Sequence, residues 1–154
     1  MSFARLRLIL AAALFLGWIA WLGYAVSQKG RVAVISRGQL TAATHLVVAQ
    51  VTLAPDGLPE PTVKITEVVR GSGVPAAGAE AEVLNLPAAM PPGVAAFPGP
   101  GEYLLPLVGD GKSFRVAGLP RAPGYERQSG AARPAIYPWN ADAKAQLRDL
   151  GLLQ

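Results

Sequence analysis

The stretch Pro106–Phe114, PLVGDGKSF, decides the fold, because it reads either as the end of a phosphate-binding loop or as a β-hairpin turn. A phosphate loop carries a glycine five positions before Gly111, where this chain has Pro106, and a helix after Ser113 whose backbone N–H groups face the anion. Here Ser113 opens an alternating run, with Phe114 and Val116 on one side and Arg115 on the other. Gly109-Asp110-Gly111 lies between EYLLPLV (Glu102–Val108) and KSFRVAG (Lys112–Gly118), and Asp-Gly between apolar alternating runs is a strong short-range hairpin signal. The reading is therefore a hairpin, with no nucleotide site.

Working outward, HLVVAQVTLA (His45–Ala54) is rich in β-branched residues and stops at the turn signal Pro55-Asp56-Gly57. PTVKITEVVRG follows, setting Val63, Ile65 and Val69 against Thr62, Lys64, Thr66 and Arg70, as a half-buried strand requires. Glu67 interrupts the inward set, so either a bulge intervenes or that end of the sheet is open to water. EAEVLNLP (Glu80–Pro87) is a third strand with Ala81 and Val83 on one face. The proline and glycine content of Ala88–Gly101 forbids a regular element of useful length. The segment Leu119–Pro138 contains four prolines and two glycines and is expected to cross the surface without regular structure. Asn140 then caps a short helix with Asp142 in its first turn, Ala143, Leu147 and Leu150 on one face, and Gly151 as its stop. So short a helix must dock with Trp139 on the same chain's strands or on another subunit.

Upstream, Leu8–Val26 carries no charge and, at about 1.5 Å per residue, is long enough to cross a bilayer. Arg5 and Arg7 ahead of it could open a secretory signal with Gly23 and Ala25 before a cut, but the run exceeds the usual signal core. Trp18, Trp21 and Tyr24 suit a span reaching the far interface. The expectation is a retained anchor with a short cytoplasmic N-terminus and an exported, periplasmic C-terminal domain. The chain thus divides into a basic tail (1–7), a transmembrane helix (8–27), a connector (28–44) expected to hold a short strand followed by a helical turn, a β domain (45–118), a proline-rich segment (119–138) and a C-terminal helix and tail (139–154).

Net charge is +4, yet Arg5, Arg7, Lys29, Arg31 and Arg37 precede every acid, and beyond them nine bases face ten acids. The positive charge therefore flanks the apolar run and suits phospholipid headgroups, and the near-neutral domain has no footprint for nucleic acid. The absence of cysteine removes disulfides, cysteine acylation, iron–sulfur sites and thiol catalysis. With one histidine, His45, neither a dedicated zinc or copper site nor a serine–histidine pair with a nucleophile elbow is expected, and no cofactor is assigned. Glu80 and Glu82 share a strand face and read as a solvated edge that blocks aggregation, not as a general acid and base.

The strands HLVVAQV, VKITEVVRG, EAEVLNLP, GEYLLPLV and SFRVAG, preceded by a helical turn, resemble the small OB-like or netrin-module-like barrels of exported, membrane-tethered bacterial proteins. That resemblance implies a mainly β fold with a five-stranded antiparallel barrel; a sandwich of the same strands stays open. Netrin-like metalloproteinase inhibition depends on an N-terminal cysteine and is not implied. Membrane-tethered OB-like haem chaperones attach haem to a histidine followed by acidic residues and a tyrosine, whereas Leu46 and Val47 follow His45.

The expectation is a non-catalytic accessory or assembly subunit of a membrane complex, with the lipid bilayer and other subunits as partners. Met90, Val94 and Phe97 in one long loop, and Ile136, Tyr137 and Trp139 near the C-terminus, are the candidate partner-binding residues, since long unstructured loops usually serve a function or a partner. The alternative is an envelope ligand-binding module, for example for glycan; the strand face of such a module normally carries exposed aromatics, whereas Tyr103 and Phe114 sit at positions whose alternation also suits the core.

Overall fold

The computed structural model describes residues 3–29, 33–109, 111, 113–119 and 133–153. The chain divides into two compact units, Met1–Val32 and Ala33–Gln154. The first holds helix α1, Phe3–Lys29. Its window Ile9–Val26 has mean hydropathy 2.0 and none of it is buried, so it is long and apolar enough to cross a membrane; an N-terminal signal sequence meets the same description. The rings of Trp18 and Trp21, one helical turn apart, lie 5.5 Å from each other.

The second unit is a mostly antiparallel sheet flanked by two short helices. Its elements are α2 (Arg37–Ala42), β1 (His45–Val51), β2 (Thr62–Arg70), β3 (Glu80–Glu82), a 3₁₀ turn at Leu86–Ala88, β4 (Gly101–Gly109), β5 (Phe114–Val116), β6 (Tyr137–Pro138) and α3 (Ala141–Asp149). The order across the sheet is β3-β2-β1-β4-β5, with β6 also paired to β4. Among the described residues six strands stand where five were expected. The addition, β6, falls inside the segment expected to lack regular structure, whose residues 120–132 lie outside those described.

β1 is central, and Leu46, Val47, Val48 and Ala49 are all fully buried, which is why its sequence is continuously apolar instead of alternating. Val47, Ala49 and Val51 join Val63, Ile65, Leu105, Leu107 and Phe114 in the larger core. Leu46 and Val48 face the other way, onto Leu40, Leu104, Tyr137, Ala143 and Leu147. The C-terminal helix therefore docks on its own chain's sheet. Asn140 caps it by accepting from the Ala143 N–H at 2.9 Å, as its sequence anticipates.

Glu67 marks a bulge. The β1–β2 register steps between Val48 and Ala49 and again between Leu46 and Val47, leaving Thr66 and Val69 without a partner on β1. The displaced Thr66 hydroxyl donates to Val48 O, and Val69 packs with the second core, not beside Val63 and Ile65 as simple alternation predicts.

β4 pairs antiparallel with β5, Gly109 opposite Phe114, so the opening stretch is a hairpin; Asp110 and Lys112 lie outside the described residues. Pro106 sits in this interior strand, where a missing N–H normally disrupts a ladder. Leu107 O accepts from Thr44 N on the β1 side, while Pro106 O accepts from Ala117 N on the other. The proline nitrogen thus faces the gap on that side of β4 between Leu104, paired with Tyr137 at the start of β6, and Leu107, paired with Val116 at the end of β5. Near the outer side of β5, Asn85 supplies a side-chain substitute for a strand: its Oδ1 accepts from Val116 N at 2.7 Å and its Nδ2 donates to Val116 O at 3.1 Å. One parallel bridge joins Val83, just past β3, to Phe114, and Leu84 N donates to Phe114 O.

Candidate functional site

The strands β5 and β6 share one side of β4 but do not meet, and the space between their ends is filled by the fully buried Gln39 of α2. Ser36 starts that helix, its hydroxyl accepting from Gln39 N at 3.3 Å. One turn in, the Gln39 carboxamide donates to Ala117 O at 2.7 Å and to Ala135 O at 2.8 Å, and accepts from the Tyr137 hydroxyl at 2.7 Å. Both Nε2 protons and one Oε1 lone pair are satisfied, as burial of an amide demands.

Tyr137 extends the network by accepting from Ser36 N at 3.1 Å. Gln146 of α3 closes it, with Oε1 accepting from Ile35 N at 2.9 Å and Nε2 donating to Ala33 O at 3.0 Å. Side chains from the last twenty residues therefore grip the backbone of Ala33–Ser36. On the far side of α2, Arg70 reaches from β2 to the helix's C-terminal carbonyls, donating to Leu40 O and Ala43 O. No sequence pattern marked Gln39, Gln146 or Arg70. Each is one polar residue among others in a segment read for other reasons, and only contacts about 30 to 110 residues away along the chain give it a role.

Burial pushes the Tyr137 phenol above its ordinary 10.0, with the Ser36 hydrogen bond pulling it partly back, and burial raises Tyr103 as well. The native state then holds these protons more tightly than the unfolded chain. Its stability is full below pH 10.0 and falls as pH climbs from there through the raised native values. The urea midpoint of the full chain in detergent should stay flat from about pH 7 to 9 and drop above about 10; Tyr137→Phe should start lower but decline less steeply. An equal decline in both proteins would remove Tyr137 from this account.

The six candidate partner-binding residues have different fates. Ile136 and Tyr137 are fully buried in this chain's own two cores, so neither faces a partner. Met90 is half-buried and its backbone forms an isolated parallel bridge with Ala135, just before β6. Phe97 packs on the larger core with its ring 5.1 Å from Tyr103. Trp139 is half-buried against the second core, under the Lys144 ammonium at 5.1 Å. Val94 remains exposed. The loop wraps its own sheet because a small domain has much apolar surface to cover. On α1, Trp18, Trp21 and Tyr24 are exposed.

His45 is buried, its Nε2 3.3 Å from Gly109 O and its ring edge-on to Phe114, while Nδ1 has no partner among the described residues. Glu80 and Glu82 are exposed on β3, opposite Lys64 and Thr62. Tyr103 and Phe114 lie in the core, where their alternation in the sequence also fits. Among the described residues no group of three or more His, Cys, Asp or Glu side chains comes together to hold a metal. Compared with models of known protein families, with curated proteins and with solved structures, the chain matches none of them.

Proposed function

We propose that this chain is a single-pass membrane protein whose β domain stands on the periplasmic side and serves, without catalysis, as an accessory or assembly subunit of a membrane complex. The observation that carries this reading is the grip on Ala33–Ser36 by Tyr137 and Gln146. Only three residues in sequence separate this pinned segment from Lys29, the last residue of the apolar helix. A domain whose first residues are held so firmly, so soon after an anchor, is suited to being positioned at a bilayer surface. The buried polar side chains Gln39 and Tyr137 hold backbone together and form no reactive constellation.

The domain's likeness to an OB-like barrel belongs to the same reading. It is supported by the strand order β3-β2-β1-β4-β5 together with the parallel bridge between Val83 and Phe114, which brings the β3 and β5 ends of the sheet into register.

The test is to extract the C-terminally tagged protein gently from its native membrane and identify what co-purifies by mass spectrometry, reading the chain's intact mass from the same sample. A stoichiometric membrane-protein partner with an uncut N-terminus is the expected result. A lone chain would overturn the subunit reading, and a mass beginning near Val26 would overturn the anchor.

A further inference from the structure

A second feature of the β domain concerns charge and not tethering. An open cleft of about 310 Å³ is bordered by Arg37, Thr41, Arg70 and Asp149. Leu40, Leu150 and Leu152 complete its lining. Arg70 is half-buried, and one terminal nitrogen of its guanidinium is committed to Leu40 O and Ala43 O, which fixes the orientation of the plane. Those bonds use two of its five N–H groups, and the other three have no acceptor among the described residues. Arg37, exposed at the start of α2, contributes a second guanidinium, and among the described residues neither it nor Asp149 is in an ion pair.

Two arginines border one concavity, and the guanidinium of one is already held by two backbone carbonyls, a combination suited to receiving a tetrahedral oxyanion. A planar fork of donors matches phosphate oxygens in charge-assisted hydrogen bonds. Asp149 adjusts the charge: two positives less one negative leave +1, which complements a singly charged phosphate. The leucines would meet the organic part of an ester. We propose that this cleft binds the phosphate group of an anionic ligand through Arg37 and Arg70, supplied either by a phospholipid headgroup or by free phosphate. The lipid source rests on the membrane-tethered reading given above; the anion site does not.

The test is calorimetric titration of the full chain in a neutral detergent with inorganic phosphate and, separately, with a soluble short-chain phosphatidylglycerol. Saturable binding of at least one is expected. Arg37→Gln should weaken it about tenfold, the loss of one charge-assisted contact. Asp149→Asn should tighten it, a gain that damage to the fold would not give. Arg148→Gln removes one positive charge outside the cleft lining and should leave binding unchanged. Binding of phosphate alone assigns the site to the free anion and leaves the membrane reading to its own test. Binding of the lipid alone, lost in Arg37→Gln, assigns it to the headgroup. No saturable binding of either probe, lipid binding indifferent to Arg37→Gln, or an equal loss in Arg148→Gln would overturn the proposal.

Discussion

Replacing Gln39 by glutamate is expected to unfold the β domain at neutral pH. The native carboxamide nitrogen sits 2.7 Å from Ala117 O and 2.8 Å from Ala135 O, in a site with no solvent exposure. A carboxylate oxygen there would face two carbonyl oxygens with no proton between them, and the charge would be buried without a partner. The milder Gln39→Leu keeps the volume but strands two carbonyls and the Tyr137 hydroxyl, at about 1–3 kcal/mol for each group left unsatisfied. That is a large share of the stability of a small domain.

The consequence should be regional before it is global, because Gln39 joins the end of β5 to the start of β6. Amide exchange followed by mass spectrometry on the full chain in detergent is the direct measurement. In Gln39→Leu, protection should fall first at Phe114–Ala117 and Ala135–Pro138 and later in β1 and β4. Protection unchanged in Gln39→Glu would show that the carboxamide does not hold these segments.

Gly71→Ala is expected to have the second largest effect, and for two separable reasons. Gly71 has φ of +112°, a conformation that costs a residue with a Cβ backbone strain. A Cβ built there would also lie 2.5 Å from His45 Nδ1 and 3.0 Å from both His45 Cα and Thr44 O. The imidazole is buried against Phe114 and Gly109 and has little freedom to retreat. Strain and overlap together should cost about 2–4 kcal/mol, which at the urea dependence usual for small domains moves the midpoint by about 1–2 M.

A double-mutant cycle separates the two terms. His45→Ala should itself destabilise by leaving a cavity beside Phe114, but in that background the further cost of Gly71→Ala should shrink by about half, since the overlap with the imidazole is gone and only the backbone strain and the approaches to the residue-45 Cα and Thr44 O remain. Strict additivity would mean that the imidazole relaxes freely and that φ alone makes glycine necessary.

Much of the architecture is legible residue by residue. The charge-free run before Val26 dictates an apolar helix whatever follows it, because no residue there can face water as part of an amphipathic stripe. Asp-Gly between alternating runs predicts the β4–β5 hairpin, the β-branched runs predict the other main strands, and Asn140 ahead of Ala141 predicts the start of α3. These signals are local: each depends on dihedral preference, on side-chain period or on a hydrogen bond within a few residues.

What the tertiary structure alone decided are the contacts whose partners lie far apart in the chain. Tyr137 and Pro138 pair with β4 although their surroundings are rich in proline. Ile136 and Tyr137 turn inward instead of toward a partner. Gln39 gains its three bonds and Arg70 its two carbonyls only when the segments that carry them have come together. A buried amide or guanidinium is specified by the acceptors around it, and those acceptors are backbone carbonyls whose positions no neighbouring side chain encodes. Local chemistry thus determined the helices and the main strands, while the polar joints that lock them together, and the cleft those joints shape, exist only because the folded chain must satisfy every buried donor and acceptor at once.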